Sequence, residues 1–98
     1  MILEIAILNV VKGLEGEFEE AFKEAKRIIA GTPGFVALEL QKSVERSNEY
    51  ILLVRWQTLE DHTVGFRNSP EYARWKELLH QFYDPFPKVT HYTRIDDV

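Results

Sequence analysis

The spacing of apolar residues changes character several times along the chain, and each change marks an element. From Ile2 to Val11 the residues are almost continuously Ile, Leu, Val and Ala, with only Glu4 and Asn9 as polar interruptions, which predicts a strand apolar on both faces. From Glu15 to Ala30 the period lengthens. Phe18, Phe22, Ala25 and Ile29 recur at i, i+4, i+7 and i+11, with Glu and Lys between them, as on an amphipathic helix of about four turns. Glu15 and Glu17 suit the positive end of its dipole, Lys26 and Arg27 the negative end, and Gly31 and Pro33 supply a stop.

Gly34 opens a second strand, Phe35 to Ser43, and the polar stretch Glu45-Arg46-Ser47-Asn48 turns it back into a third, Glu49 to Gln57. Thr58 with Asp61 three residues later resembles a capping box, and it starts a short helix that ends at Arg67-Asn68. Ser69-Pro70 is a second start signal, followed by Tyr72, Trp75, Leu79 and Phe82 at helical spacing. Asp84-Pro85-Phe86-Pro87 blocks continuation, and Val89 to Ile95 alternates as a last strand before a polar tail, Asp96-Asp97-Val98.

The order is βαββαβ within one domain spanning residues 1–98, an α+β fold. Two β-α-β units joined by a hairpin give the ferredoxin-like topology, with both helices on one face of a four-stranded antiparallel sheet. The other face is left bare, on the order of 500 Å² by strand spacing. Strands one and three carry large apolar residues at both parities, such as Ile5 and Ile7 against Ala6 and Leu8. A bare patch of that kind predicts a homodimer with two sheets packed face to face.

Composition narrows the partners. A net charge of −4 repels nucleic acid, and no run approaches the roughly 18 apolar residues a membrane span needs. There is no cysteine, which suits the cytoplasm and removes thiolate chemistry and cysteine-based metal sites. The first strand lacks the basic leader of a signal peptide. No Gly-rich phosphate loop, nucleophile elbow or dinucleotide fingerprint is present.

The run from Tyr50 to His62 (YILLVRWQTLEDH), then Phe66 to Tyr72 (FRNSPEY), together with Pro33-Gly34-Phe35, resembles the antibiotic biosynthesis monooxygenase (ABM) family over nearly the whole chain. The resemblance implies a dimeric α/β barrel with a pocket in each subunit between sheet and helices. It also implies a cofactor-independent monooxygenase acting with O₂ on a quinol-like or polycyclic phenolic molecule. A non-catalytic dimeric module, small-molecule-binding or stress-related, is the alternative. A haem-degrading branch ranks third. Asn9 matches its strand asparagine and Phe66 falls near its aromatic position, but Trp75 or Lys76 stands near its iron-ligating histidine and His80 lies about a turn beyond. The expectation is therefore no cofactor.

His62 and Phe66 share a helical face, so His62 can deprotonate a phenol while Phe66 stacks on its ring; equally, His62 can be a hydrogen-bonded core histidine and Phe66 simple core. Asn9 in an apolar strand needs a partner, either a ligand oxygen or a loop backbone. Tyr72 and Trp75 line the pocket or fill the core, and His91 binds a substrate oxygen or fills the sheet face. Arg55 is expected in an ion pair with Glu4 or Glu39. His62, His80 and His91 show no metal-ligand spacing, so no metal site is expected.

Overall fold

A computed structural model describes residues 1–96; the last two residues of the predicted tail, Asp97 and Val98, lie outside them. The elements are β1 (Ile2–Asn9), α1 (Glu15–Ala30), β2 (Phe35–Lys42), β3 (Glu49–Trp56), a π-helical turn (Asp61–Phe66), α2 (Pro70–Leu79), a short 3₁₀ turn (His80–Phe82) and β4 (Val89–Thr93). The strands form one antiparallel sheet in the order β2-β3-β1-β4, the ferredoxin-like arrangement.

The helix α1 has the predicted bounds and buries Phe18, Phe22, Ala25, Ile28 and Ile29. Ser69 caps α2 by accepting from the Tyr72 N–H, with Pro70 at the first helical position. The strands stop earlier than the apolar pattern suggests. β1 ends at Asn9: the Val10 N–H still bonds the Asn48 carbonyl opposite it, but the Val11 N–H turns away to the carbonyl of Phe82.

Two sequence signals meet in space. Thr58 and Asp61 form the reciprocal box, the Asp61 carboxylate accepting from the Thr58 N–H at 3.1 Å and Thr58 Oγ1 accepting from the Asp61 N–H at 3.2 Å. Gly34 sits against that carboxylate at φ +81°, where a Cβ would overlap it. The segment that follows is π-helical and not α-helical: the Arg67 N–H reaches the His62 carbonyl at 3.2 Å, five residues back.

The core lies between the helices and one sheet face. That face carries Glu4, Ala6 and Leu8 from β1 and Tyr50, Leu52, Val54 and Trp56 from β3, all buried. By strand alternation the opposite face carries Leu3, Ile5, Ile7 and Asn9 with Ile51, Leu53 and Arg55, and Ile7 is 42% exposed.

Candidate active site

Beneath the helices lies a cavity of about 330 Å³. Apolar and aromatic side chains dominate its wall, among them Phe66, Tyr72, Trp75, Tyr83 and Phe86, with Leu8 and Leu52 from the sheet. Glu4, His62, Arg67 and His80 are its polar and charged members.

The π-helical turn aims His62 inward, where it is 3% exposed and stacked on Trp56 with ring centroids 5.4 Å apart. Its Nδ1 lies 2.8 Å from His91 Nε2 and its Nε2 lies 3.4 Å from Glu4 Oε1. Glu4 Oε1 also accepts the Trp56 indole N–H at 2.9 Å. The sheet register explains this meeting. Glu4 and His91 are cross-strand partners on β1 and β4, and Trp56 lies two residues beyond Glu4's partner Val54 on β3, all on the covered face.

Burial dominates the electrostatics. It pushes the Glu4 carboxyl up, against the Trp56 hydrogen bond and the charge of Arg67. It pushes the His62 imidazole down to about 3, with Arg67 and His91 acting in the same direction, so His62 is neutral near pH 7. The imidazoles of His80 and His91 are also lowered, chiefly by burial. Burial raises the Tyr83 phenol, with Glu4 adding to the effect. Among the described residues no buried side-chain nitrogen or oxygen lacks a hydrogen-bond partner, and no group of three His, Cys, Asp or Glu side chains could hold a metal ion.

The structure places His62, Phe66, Tyr72 and Trp75 in the wall of one cavity, with His91 behind His62. It does not bring Asn9 there. Asn9 has the parity of Ile5 and Ile7, so its side chain leaves the opposite sheet face, half-buried beside Pro85, Phe86 and Thr90. The expectation of a pocket asparagine is corrected by that register. For Arg55 the register corrects Glu4 as a partner: Arg55 pairs with Leu3 and projects away from Glu4, whose partners are Trp56 and His62, while Glu39 shares the outer face with Arg55 and bonds Gln41. Glu4, Arg67 and His80 were not predicted as site residues. For Glu4 the signal was present, since it shares the parity of Ala6, Leu8 and Val10 in an otherwise apolar strand.

The sequence model of the family described as antibiotic biosynthesis monooxygenase matches residues 1–78. The chain belongs to this family. An uncharacterized protein, YczJ of Bacillus subtilis (strain 168), is 53% identical over 92 residues, covering 94% of this chain and 97% of its own. A Bordetella bronchiseptica structure assigned to the same family superposes with a TM-score of 0.91 at 31% identity, over 96% of each chain. SnoaB of Streptomyces nogalater, described as a cofactor-independent oxygenase, shares the fold with a TM-score of 0.86 at 18% identity, over 99% of this chain and 95% of its own. Among the described residues no helix is long and apolar enough to cross a membrane.

Proposed function

We propose that the chain is a small cofactor-independent monooxygenase that oxidises an aromatic, quinol-like or polycyclic phenolic molecule with O₂ in the cavity beneath its helices. The observation that carries this is the cavity wall: aromatic rings around a buried carboxyl–imidazole pair, Glu4 and His62. Family membership and the description of SnoaB support the reaction type.

The chemistry needs a base and a flat apolar site. Loss of the phenolic proton to the Glu4–His62 pair leaves an electron-rich anion. That anion passes an electron to O₂, and the two radicals join at a ring carbon that bears hydrogen. The hydroperoxide recovers the proton from the pair. The O–O bond then breaks, the distal oxygen leaves as water with the ring hydrogen and that proton, and the ring carbon keeps the other oxygen as a carbonyl. The substrate supplies all four electrons, so no reductant is consumed. Phe66, Tyr72 and Trp75 would hold the ring and exclude water.

The bare sheet face supports a homodimer. Leu3, Ile5, Ile7, Ile51 and Leu53 form an apolar strip there, and two such sheets packed face to face give a dimeric α/β barrel. The cysteine-free composition suits a cytoplasmic location.

Oxygen uptake with anthrone, the keto tautomer of a polycyclic phenol, tests the activity. The wild type should turn it over, and His62→Ala should lose at least about 100-fold in rate. Unchanged turnover in that variant removes His62 from the mechanism, and anthrone bound by the wild type without oxygen uptake makes the protein a binding module.

A further inference from the structure

Within the proposed phenol site, and resting on that reading, we infer that Glu4 presents the proton-accepting atom to the ligand through its Oε2, and that His62 is the positioning residue that holds the Glu4 carboxylate. The geometry of the two nitrogens of His62 leads there. Nδ1 is engaged by His91 at 2.8 Å, and Nε2 faces Glu4 Oε1 at 3.4 Å. In the tautomer that satisfies both contacts Nε2 carries the hydrogen, so it has no lone pair with which to take a proton from a ligand. Glu4 Oε1 is engaged too, since it takes the Trp56 N–H and faces His62.

Glu4 Oε2 differs from these atoms. It accepts a hydrogen bond from no described residue, yet no buried side-chain oxygen among the described residues lacks a partner. Oε2 therefore keeps access to open space, and the open space beside Glu4 is the cavity it lines. The tautomer that satisfies every pair has His91 Nε2–H donating to His62 Nδ1, and His62 Nε2–H directed at Glu4 Oε1. His91, on the edge strand β4, thus fixes the tautomer of His62, and His62 fixes the carboxylate.

The surrounding charges leave this role to Glu4. His62 from the π-helical turn, His80 after α2 and His91 on β4 are all pushed below the ordinary histidine value, so in neutral or alkaline buffer they carry no charge. Tyr83 is pushed up and keeps its proton, and the Arg67 guanidinium lines the same wall. Tyr72 is the other phenol in the wall. The proton step is simple: the ligand O–H bond breaks, the proton goes to Glu4 Oε2, and the electron pair stays on the phenolate oxygen. Glu4 returns the same proton to the hydroperoxide later.

Proton linkage with 4-nitrophenol separates Glu4 from His62. In alkaline buffer, where free nitrophenol is its yellow anion, that anion enters only if Glu4 takes a proton. Binding to the wild type should therefore take up close to one proton, and affinity should fall about tenfold per pH unit. Glu4→Gln keeps an acceptor for Trp56 and should bind without uptake, with affinity flat in pH. His62→Gln and Tyr72→Phe should keep the uptake. An infrared band of a new carboxylic acid should appear when nitrophenolate binds the wild type, a readout that needs no variant. Uptake lost in His62→Gln but kept in Glu4→Gln, or the absence of that infrared band, overturns the assignment of Glu4 while leaving the phenol site standing. Failure of the wild type to bind nitrophenol overturns both.

Discussion

Trp56 donates its indole N–H to Glu4 over 2.9 Å, a bond that ties β3 to β1 beneath the helices. It lets a carboxylate sit at 5% exposure in a wall that is otherwise largely apolar. Trp56 stacks on His62 as well, so one side chain fixes both members of the pair.

Trp56→Phe keeps the ring and deletes the donor. Leaving Glu4 short of a partner should cost about 1–3 kcal/mol of stability, read by urea unfolding. It should also raise the proton affinity of Glu4 further, because the bond it removes lowers that affinity. An unchanged unfolding midpoint would show that the Glu4–Trp56 bond is not holding the pair.

Gly34 has a different dependence. At φ +81° with the Asp61 carboxylate where a Cβ would stand, Gly34→Ala should cost about 2–4 kcal/mol from backbone strain and overlap together. Asp61→Ala in the same chain should recover the overlap part and leave the strain, so a double-mutant cycle in thermal unfolding should show coupling. Additive costs would contradict the contact.

The two buried groups pull stability in opposite directions with pH. His62 is lowered from 6.5 to about 3 in the folded chain, so the unfolded chain binds the extra proton between those values and stability falls as pH drops through that window. At pH 5 the cost from His62 is about 2 kcal/mol. Glu4 is raised from 4.5, so its contribution is complete below 4.5 and is lost as pH rises through its folded value. Each partly hides the other. Chemical unfolding across pH should show Glu4→Gln steepening the acid loss and His62→Gln reducing it to what the lowered His80 and His91 contribute; the reverse pattern would contradict the assigned directions.

The proposed dimer would pack through the outer sheet face. Ile7→Asp places a charge on that face at an exposed position, away from the core, so it should halve the mass measured by sedimentation while the circular dichroism stays native. A wild type that sediments as one chain would remove the face-to-face dimer.

Helix α1 was legible in the sequence because Phe18, Phe22, Ala25 and Ile29 repeat at a single helical period, and α2 because Ser69 and Pro70 are start signals with a local mechanism. The sheet order followed from connection rules alone. The cavity was legible only in part. Phe66, Tyr72 and Trp75 announce an aromatic cluster, but His62 meets His91 across 29 residues, a contact no local pattern carries. Asn9 and Glu4 look alike in the sequence, each a polar residue in an apolar strand. The register separates them by one parity, sending Glu4 into the cavity and Asn9 to the outer face.

The chain has two tryptophans, and both report on the cavity: Trp75 lines it and Trp56 is bonded to Glu4 in its wall. Titrating 2-naphthol into ¹⁵N-labelled protein and following the two indole N–H signals tests most directly whether a phenol occupies this space against the carboxyl–imidazole pair. Both signals should move together and saturate. Indole signals that stay fixed while the amides of Ile5, Ile7 and Leu53 move would place the ligand on the outer sheet face and contradict the account.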